Sequence, residues 1–456
     1  MIKVSRIIPA DIGDRRGWDG ALSFVLTASV YYYFVFQWFV GDYTDGDQLV
    51  IAEMAAYLAE GRVQEPSFWG QGYLLPLEAW FAAIPVRLGM PALFSVQLTA
   101  AFFVFAPYAL FAWLVRGRAV WWVSAAFLLS AGSVILQVSL MPRGFTASVG
   151  LSAIGTLLLL ARQELWVRVV SGAAIGLAVA SSPMAIFPAL VLLSGLADRR
   201  VLVSLVPAGI ACCLVAALLK WTMHAHYAMP GAVVHQAPVY SFSYRTFLEN
   251  VANDAVIAPA LRALLCLQFL TVMGLIARGV MRERRRLYCL VPLFVFAVFM
   301  LLLFSSGKLR DALPNVFFSG VRFWTSIPLF FLCYCFLLVK DAQLDVDSIL
   351  RERGLLVFAA IVGLLAFDIA TIRPVIKPSL SSHSMVAYGR IDNIRDRCRA
   401  IAKAGPVDVY RIVGRNDLLA YGCYPLEGIK VFQTEYDRRT WFLREVEGAV
   451  IHDVSP

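Results

Sequence analysis

"GDYTDGDQLVIAEMAAYLAEGR", Gly41 to Arg62, follows directly on the first long apolar run of the chain and carries Asp42, Asp45 and Asp47 within six positions. The run before it, 21–40, is long enough to span hydrocarbon and has no small-residue cleavage pattern after it. It reads as an uncleaved first transmembrane helix. The quoted stretch is therefore the first piece of chain beyond the bilayer core, and its three carboxylates stand where a membrane segment ends.

Composition places the rest of the chain in the same setting. Of 456 residues, 60% are hydrophobic and only 16% are charged, against about a quarter charged in soluble domains. The fold class expected is an α-helical polytopic membrane protein. The net charge of +9 is not a nucleic-acid signal, because Lys and Arg in such proteins mark cytoplasmic loops. Six of the eight cysteines lie in apolar runs as small hydrophobes. Cys398 and Cys423 lie in the polar C-terminal part and are the plausible disulfide pair if that part faces an oxidising compartment.

Spanning-length runs fall at 21–40, 92–115, 119–138, 145–162, 166–182, 184–198, 201–221, 259–280, 287–305, 321–340 and 354–372. The pair around "SSPMAIFP" (Ser181–Pro188) is short, either two short helices or one broken one; taken as two, the total is eleven. With the N-terminus inside, the basic clusters at Lys3–Arg16, Arg116, Arg162–Arg168, Arg199, Arg282 and Lys340–Arg353 all land on the cytoplasmic face. Dropping one helix splits them across both faces. The outside then receives 41–91, 221–259 and the tail from 373. Residues 1–372 form the expected membrane domain, with interfacial helices in 41–91. Residues 373–456 form a small C-terminal α/β domain, with strands at Val407–Gly414 and Ile429–Thr434 and a helix over Asp392–Gly405. The expected setting is a bacterial inner membrane, N-terminus cytoplasmic and C-terminus periplasmic.

In the first outside segment, "DQLVIAEMAAYLAEG" predicts a helix with Asp47 as N-cap, Asp45-Gly46 as the turn before it, and Gly61 as its stop. "FWGQGYLLPLEAWFAAIPVRLG" (Phe68–Gly89) predicts a second helix of about 15 residues, too short to span about 30 Å of hydrocarbon. It is expected to lie in the interface, anchored by Trp69, Tyr73 and Trp80. Glu78 sits inside it, and a carboxylate there calls for a partner.

These residues resemble a family. An acidic pair before a helix, then an aromatic-Gly-Gln-x-Tyr-x-x-x-Leu-Glu-Ala segment, is similar to GT-C superfamily glycosyltransferases. The bacterial members related to protein O-mannosyltransferases and aminoarabinose lipid A transferases are the most alike. Set beside their pattern, "DQLVIAEMA" puts Asp47 on the aspartate and Gln48 on the glutamate, and "WGQGYLLPLEA" puts Gln71, Tyr73 and Glu78 on matching positions. The detailed likeness covers residues 44–98; the remainder matches in general topology. Gln48 departs from the pattern, so a second carboxylate is missing at that place. Asp45, two residues before Asp47, is the candidate substitute.

The resemblance implies a polyprenyl-phosphate sugar as donor, used at the outer face. It also implies Asp47 as the carboxylate that takes the acceptor hydroxyl's proton, with inversion at the sugar carbon. The leaving phosphate needs cationic or N–H stabilisation. Lys308 and Arg310, in a loop after the ninth helix, Arg322 at the start of the tenth, and Arg143 in "MPRG" are the outside cations. Arg322 reads equally as a snorkelling anchor. In "HAHY", His224 and His226 would share one face of a strand, which raises a divalent metal as the minor alternative. No further ligand stands at a matching spacing, so no metal site is expected, and His224 is placed with acceptor binding. The expected partners are the bilayer, the lipid-linked sugar and a glycan, lipid or protein acceptor, without nucleic acid. The competing readings are a flippase for lipid-linked saccharides and an O-antigen polymerase or ligase. The first predicts mid-helix charges and inverted repeats; the second predicts key residues in a late loop. An acidic motif after helix one fits neither. "SGAAIG" (Ser171–Gly176) reads as a helix-packing stripe.

Overall fold

The computed structural model describes residues 15–63, 67–69, 74–115, 144–197, 199–227, 240–252, 290–308, 326–342, 389–403, 409–434, 437, 439 and 449–454. The predicted spans at 119–138, 259–280 and 354–372 lie outside them. The chain enters through α1 (Arg15–Val35), which passes into a π-helical turn, Phe36–Val40, and then into the two-residue strand β1 (Tyr43–Thr44). The predicted outside helices follow as α2 (Gly46–Ala59) and α3 (Leu77–Arg87). Next come α4 (Ala92–Val115), α5 (Thr146–Ala161), α6 (Leu165–Ser181) and α7 (Arg199–Tyr227). Between α6 and α7 the chain breaks into two 3₁₀ turns, Pro183–Ala185 and Leu190–Ala197, around the single α-turn Ile186–Ala189. Pro183 and Pro188 remove backbone donors there. The "SSPMAIFP" stretch is thus one helix followed by a broken one.

Ala92–Val115 and Val201–Thr222 are the two described helices long and apolar enough to cross a membrane by length and composition. The apolar residues of α1, α4, α5 and α10 (Ser326–Ala342), with Phe187 and Leu190 of the broken segment, form one core. The small-residue stripe packs as its pattern predicts. A Cβ on Gly172 would stand 2.6 Å from Ala208 Cα, and one on Gly176 2.8 Å from Cys212 Cα, so only glycine lets α6 and α7 approach this closely.

The Lys340 Nζ donates to the Leu160 carbonyl at 2.5 Å, Arg168 donates to the Ser204 carbonyl at 2.8 Å, and Arg162 sits 5.6 Å over the Trp113 ring. These are basic residues expected on one face. β2 (Tyr240–Phe242), followed by α8 (Tyr244–Ala252), pairs antiparallel with β3 (Ser306–Lys308) at the end of α9 (Leu290–Ser305). Two of the predicted outside segments are joined in this way. β1 pairs antiparallel with β4 (Gly389–Arg390), which joins the first outside segment to the C-terminal tail.

The C-terminal part is α/β. β5 (Val409–Ile412) lies between β6 (Val431–Gln433) and β7 (Ile451–Val454), parallel to both. α11 (Ile391–Lys403) and α12 (Asp417–Glu427) belong with this sheet, and Cys398 and Cys423 form a disulfide between them. Among the described residues this part shares its core with α2. Leu49, Val50 and Met54 of α2 are buried in one cluster with Ile394, Ile401, Ile412 and Tyr421.

Candidate active site

The site is built from the end of α1 onward. The π-turn closes with the Gly41 N–H donating to the Phe36 carbonyl at 2.8 Å, and Gln97 of α4 donates its amide to the Val40 carbonyl at 2.7 Å. Gly41 has no Cβ, which would otherwise lie 2.8 Å from the Phe36 ring. Such π-turns recur at functional sites. Here one fixes where the acidic segment leaves α1.

α2 starts two residues earlier than its sequence predicts, and this reassigns the carboxylates. Asp45, not Asp47, is the N-cap: its backbone is extended (φ −125°, ψ 172°) and its Oδ1 accepts the Gln48 N–H at 2.9 Å. The reason is geometric. A cap must precede the first helical residue, and Gly46 is already helical, so the turn dipeptide was part of the helix start. Asp45 is fully buried, whereas Asp47 is half-buried in the first turn, at the positive end of the helix dipole. Asp42 is exposed, and its carbonyl accepts from the Ile391 N–H at 2.9 Å. Gln48 is fully buried, and neither atom of its side-chain amide has a hydrogen-bond partner among the described residues. At its far end α2 stops as predicted. Gly61 is left-handed (φ 79°), its N–H donates to the Leu58 carbonyl at 3.0 Å, and the Arg62 N–H donates to the Tyr57 carbonyl at 2.9 Å, the paired bonds of a Schellman stop.

α3 starts after Pro76 and ends before Gly89 (φ 96°). Its 11 residues make a helix of about 16 Å, well short of a span. Trp80, Ile84 and Leu88 are exposed on it. Trp69, expected as an interfacial anchor, is instead buried at 1% exposure, 6.0 Å from the Tyr57 ring. The Phe68 N–H donates to the Leu74 carbonyl at 2.7 Å, and the neighbouring indole packs toward α2.

Glu78 has the partner its position calls for. It is fully buried, and its Oε1 accepts the Ala147 N–H at 3.1 Å, at the N-terminus of α5. Burial pushes its carboxyl up to about 7, against N–H bonds from its own backbone, Ala147 and Thr146 that hold it down. Its Oε2 has no partner among the described residues. Gly144 (φ 80°), just before α5, lies under the same loop, where a Cβ would stand 3.0 Å from Leu74. The Leu75 N–H donates to the Ser181 carbonyl at 2.9 Å. Phe68, Leu74 and Leu75 are thereby tied to the start of α5 and the end of α6.

The remaining expected residues divide as follows. Gln71, Tyr73, Arg143, Arg310 and Arg322 lie outside the described residues. Lys308 ends strand β3, opposite Tyr240, rather than lying in an open loop. His224 stands in the last turn of α7, not in a strand. Positions two apart on a helix do not share a face, so the strand geometry behind the metal alternative is absent. No group of three or more His, Cys, Asp or Glu forms a metal site among the described residues.

Three residues missed in the sequence complete the picture. Asp417 opens α12 beside Gly46, and Arg439 of the C-terminal part forms a 2.8 Å ion pair with Glu53 in mid-α2, both buried. Glu53 carried a signal, a charge inside an apolar helix. Nothing in the sequence named its partner 386 positions away. What this arrangement offers chemically is a carboxylate pair at the tip of a helix held on all sides, one member committed to the cap and the other facing partly outward.

These elements define a mostly helical fold with two short helices after α1, two described helices long and apolar enough to cross a membrane, and a small α/β part seated on α2. Among solved structures the chain is similar to ArnT from Cupriavidus metallidurans, an aminoarabinose lipid A transferase of the GT-C kind. The apo structure matches at 13% identity and TM-score 0.60, over 96% of this chain and 89% of that one. The structure bound to undecaprenyl phosphate matches at 14% identity and TM-score 0.59, over 96% and 90%. The likeness is one of fold, and it covers nearly the whole chain. No family model matches the sequence, and no curated protein does.

Proposed function

We propose that the protein is a membrane glycosyltransferase that moves a sugar from a polyprenyl-phosphate donor to an acceptor hydroxyl, with inversion, at the outer face of a bacterial inner membrane. The observation that carries this reading is the placement of Asp45 and Asp47 at the tip of α2 within a GT-C fold. Asp47 acts as base. The acceptor oxygen attacks the anomeric carbon, its proton passes to the Asp47 carboxylate, and the bond to the phosphate oxygen breaks. The polyprenyl phosphate leaves with the electron pair. Asp45 supports the geometry by holding the first turn, a role compatible with its burial. Gln48, buried with an unengaged amide, offers hydrogen bonds to a sugar hydroxyl without adding charge. The similarity to a structure bound to undecaprenyl phosphate supports a lipid carrier as donor, with Arg143, Lys308, Arg310 and Arg322 as its phosphate ligands. Glu78, Gln71, Tyr73 and His224 belong to substrate binding. The Cys398–Cys423 disulfide supports an oxidising, periplasmic face for the C-terminal part. The acceptor is a glycan, lipid or protein hydroxyl. Titrating the purified protein with undecaprenyl phosphate tests the reading: saturable binding, weakened by Arg322→Ala or Arg143→Ala, is expected, and no binding overturns it.

A further inference from the structure

α2 is clamped along its whole length by the C-terminal part. At its start, Asp417 lies against Gly46. One turn on, Leu49 Cδ1 stands 3.1 Å from where a Cβ on Gly422 would be. At its end, the Tyr57 ring stacks on Tyr424 at 4.9 Å, while Glu60 and Arg62 bond each other and the Tyr424 hydroxyl. α2 and α12 therefore run side by side in the same direction.

The central fastening differs in kind from these. Glu53 is 1% exposed and Arg439 not at all. The Arg439 guanidinium spreads over four groups. Nη1 donates to Glu53 Oε1 at 2.8 Å, Nη2 to the Val431 carbonyl at 2.8 Å and to Asp437 Oδ2 at 2.8 Å, and Nε to Asp437 Oδ1 at 3.0 Å. The Tyr421 ring lies 4.9 Å from its carbon centre. Burial works against this charge, but Glu53 and Asp437 hold the guanidinium above its ordinary value. The fork thus ties α2 at once to β6, to α12 and to the segment around Asp437. Apolar packing lets a helix slide; a guanidinium with four fixed partners does not. Glu53 lies six residues beyond Asp47, about 9 Å along the helix axis, so whatever fixes Glu53 axially fixes the tip.

We propose that Arg439 is a positioning residue: through Glu53 it sets the axial placement of α2 and so holds Asp45 and Asp47 where the reaction needs them. This rests on the glycosyl-transfer reading. It makes the C-terminal part a component of the active site rather than an appendage that selects acceptors.

The test uses the full-length protein in detergent and in isolated membranes. Arg439→Gln is expected to bind undecaprenyl phosphate within about twofold of the wild type. It speeds hydrogen exchange at the Gln48 and Leu49 amides by about tenfold and lowers release of undecaprenyl phosphate from the undecaprenyl-phosphate sugars of the isolated membranes on the order of a hundredfold, the scale of a small misplacement of a reacting group. That loss appears in kcat, with the donor KM unchanged. Arg439→Lys, which keeps the charge but not the fork, falls between. If Arg439→Gln does not fold, Glu53→Gln/Arg439→Gln, which strands no charge, takes its place with the same expectations. Unchanged exchange at Gln48 and Leu49 overturns the proposal whatever the protein's activity. Faster exchange without loss of turnover overturns it too. Absence of undecaprenyl phosphate binding in the wild type overturns the functional reading instead, and leaves the exchange result to decide the role of Arg439.

Discussion

Asp417, the first residue of α12, rests against Gly46, the residue between the two candidate carboxylates: a Cβ on Gly46 would stand 3.2 Å from Asp417 Cβ and 3.9 Å from its Oδ2. Asp417 is itself braced, accepting from Arg415 Nη2 at 2.9 Å and from Gln433 Nε2 at 2.9 Å, so it does not yield freely. Gly46→Ala therefore moves the two helix starts apart by a few tenths of an ångström. It is expected to change stability by less than about 1 kcal/mol, because alanine's better helix propensity offsets the crowding. Turnover should fall about tenfold. Thermal melts alongside donor turnover check this, and a Gly46→Ala protein with full activity shows that the contact is not felt at the site.

The two carboxylates are separable by experiment. Asp47→Asn should abolish transfer while melting and membrane insertion stay as in the wild type; a fully active variant would falsify the proposed base. Asp45→Ala removes the cap bond to the Gln48 N–H and should cost about 1 kcal/mol of stability, typical of a lost N-cap. Asp45→Asn keeps an oxygen for that bond and should retain most stability. If Asp45→Asn is as inactive as Asp47→Asn, the base has been assigned to the wrong residue.

Glu78 links stability to pH. Its carboxyl is raised from 4.5 to about 7 in the folded protein. The folded state therefore binds this proton more tightly than the unfolded chain. Stability from this group is fully present below pH 4.5, declines as pH rises, and is lost once pH passes about 7. The full difference is about 3 kcal/mol. Glu78→Gln, neutral at every pH and still able to accept the Ala147 N–H, should flatten that slope and melt higher than the wild type at pH 8. Denaturation midpoints from pH 4 to 8 decide it; equal slopes in the two proteins refute the assignment.

The disulfide spans 25 positions between α11 and α12. Its removal by Cys398→Ser/Cys423→Ser should destabilise the C-terminal part by roughly 2–4 kcal/mol. Since α2 shares that core, proteolysis of the reduced or substituted protein should expose α2 as well as α11. Protection of α2 with α11 cleaved would show that the two do not unfold together.

Much of the architecture was written in short-range patterns. The two helices long and apolar enough to cross a membrane, Ala92–Val115 and Val201–Thr222, followed from runs of apolar residues, Gly61 and Gly89 marked helix stops because only glycine takes up left-handed backbone easily, and Gly172 and Gly176 marked a packing stripe without naming its partner, α7. The acidic tip of α2 was legible from composition, but its cap was assigned two residues too late, since turn and cap use the same residue types. Trp69 misled because an aromatic beside a membrane helix satisfies the interface and the core equally well. What no local pattern encodes is pairing across the chain. β1 with β4, Gly46 with Asp417 and Glu53 with Arg439 join segments separated by hundreds of residues, and the first outside loop and the tail looked like separate units until the shared core was seen.

The Glu53–Arg439 pair also has a history in time. Ribosomes add roughly 5–20 residues per second, so a partner 386 positions downstream arrives some 20–80 s after Glu53 has been made. Throughout that interval the Glu53 carboxylate waits for Arg439 on a helix whose other residues are buried in the finished fold. α2 reaches its final packing only when the last strands of the chain have been made. On the proposed function, the acidic tip is among the first parts to be synthesised and among the last to be fixed, so a chain that has not yet reached Arg439 carries the acidic motif without the clamp that places it.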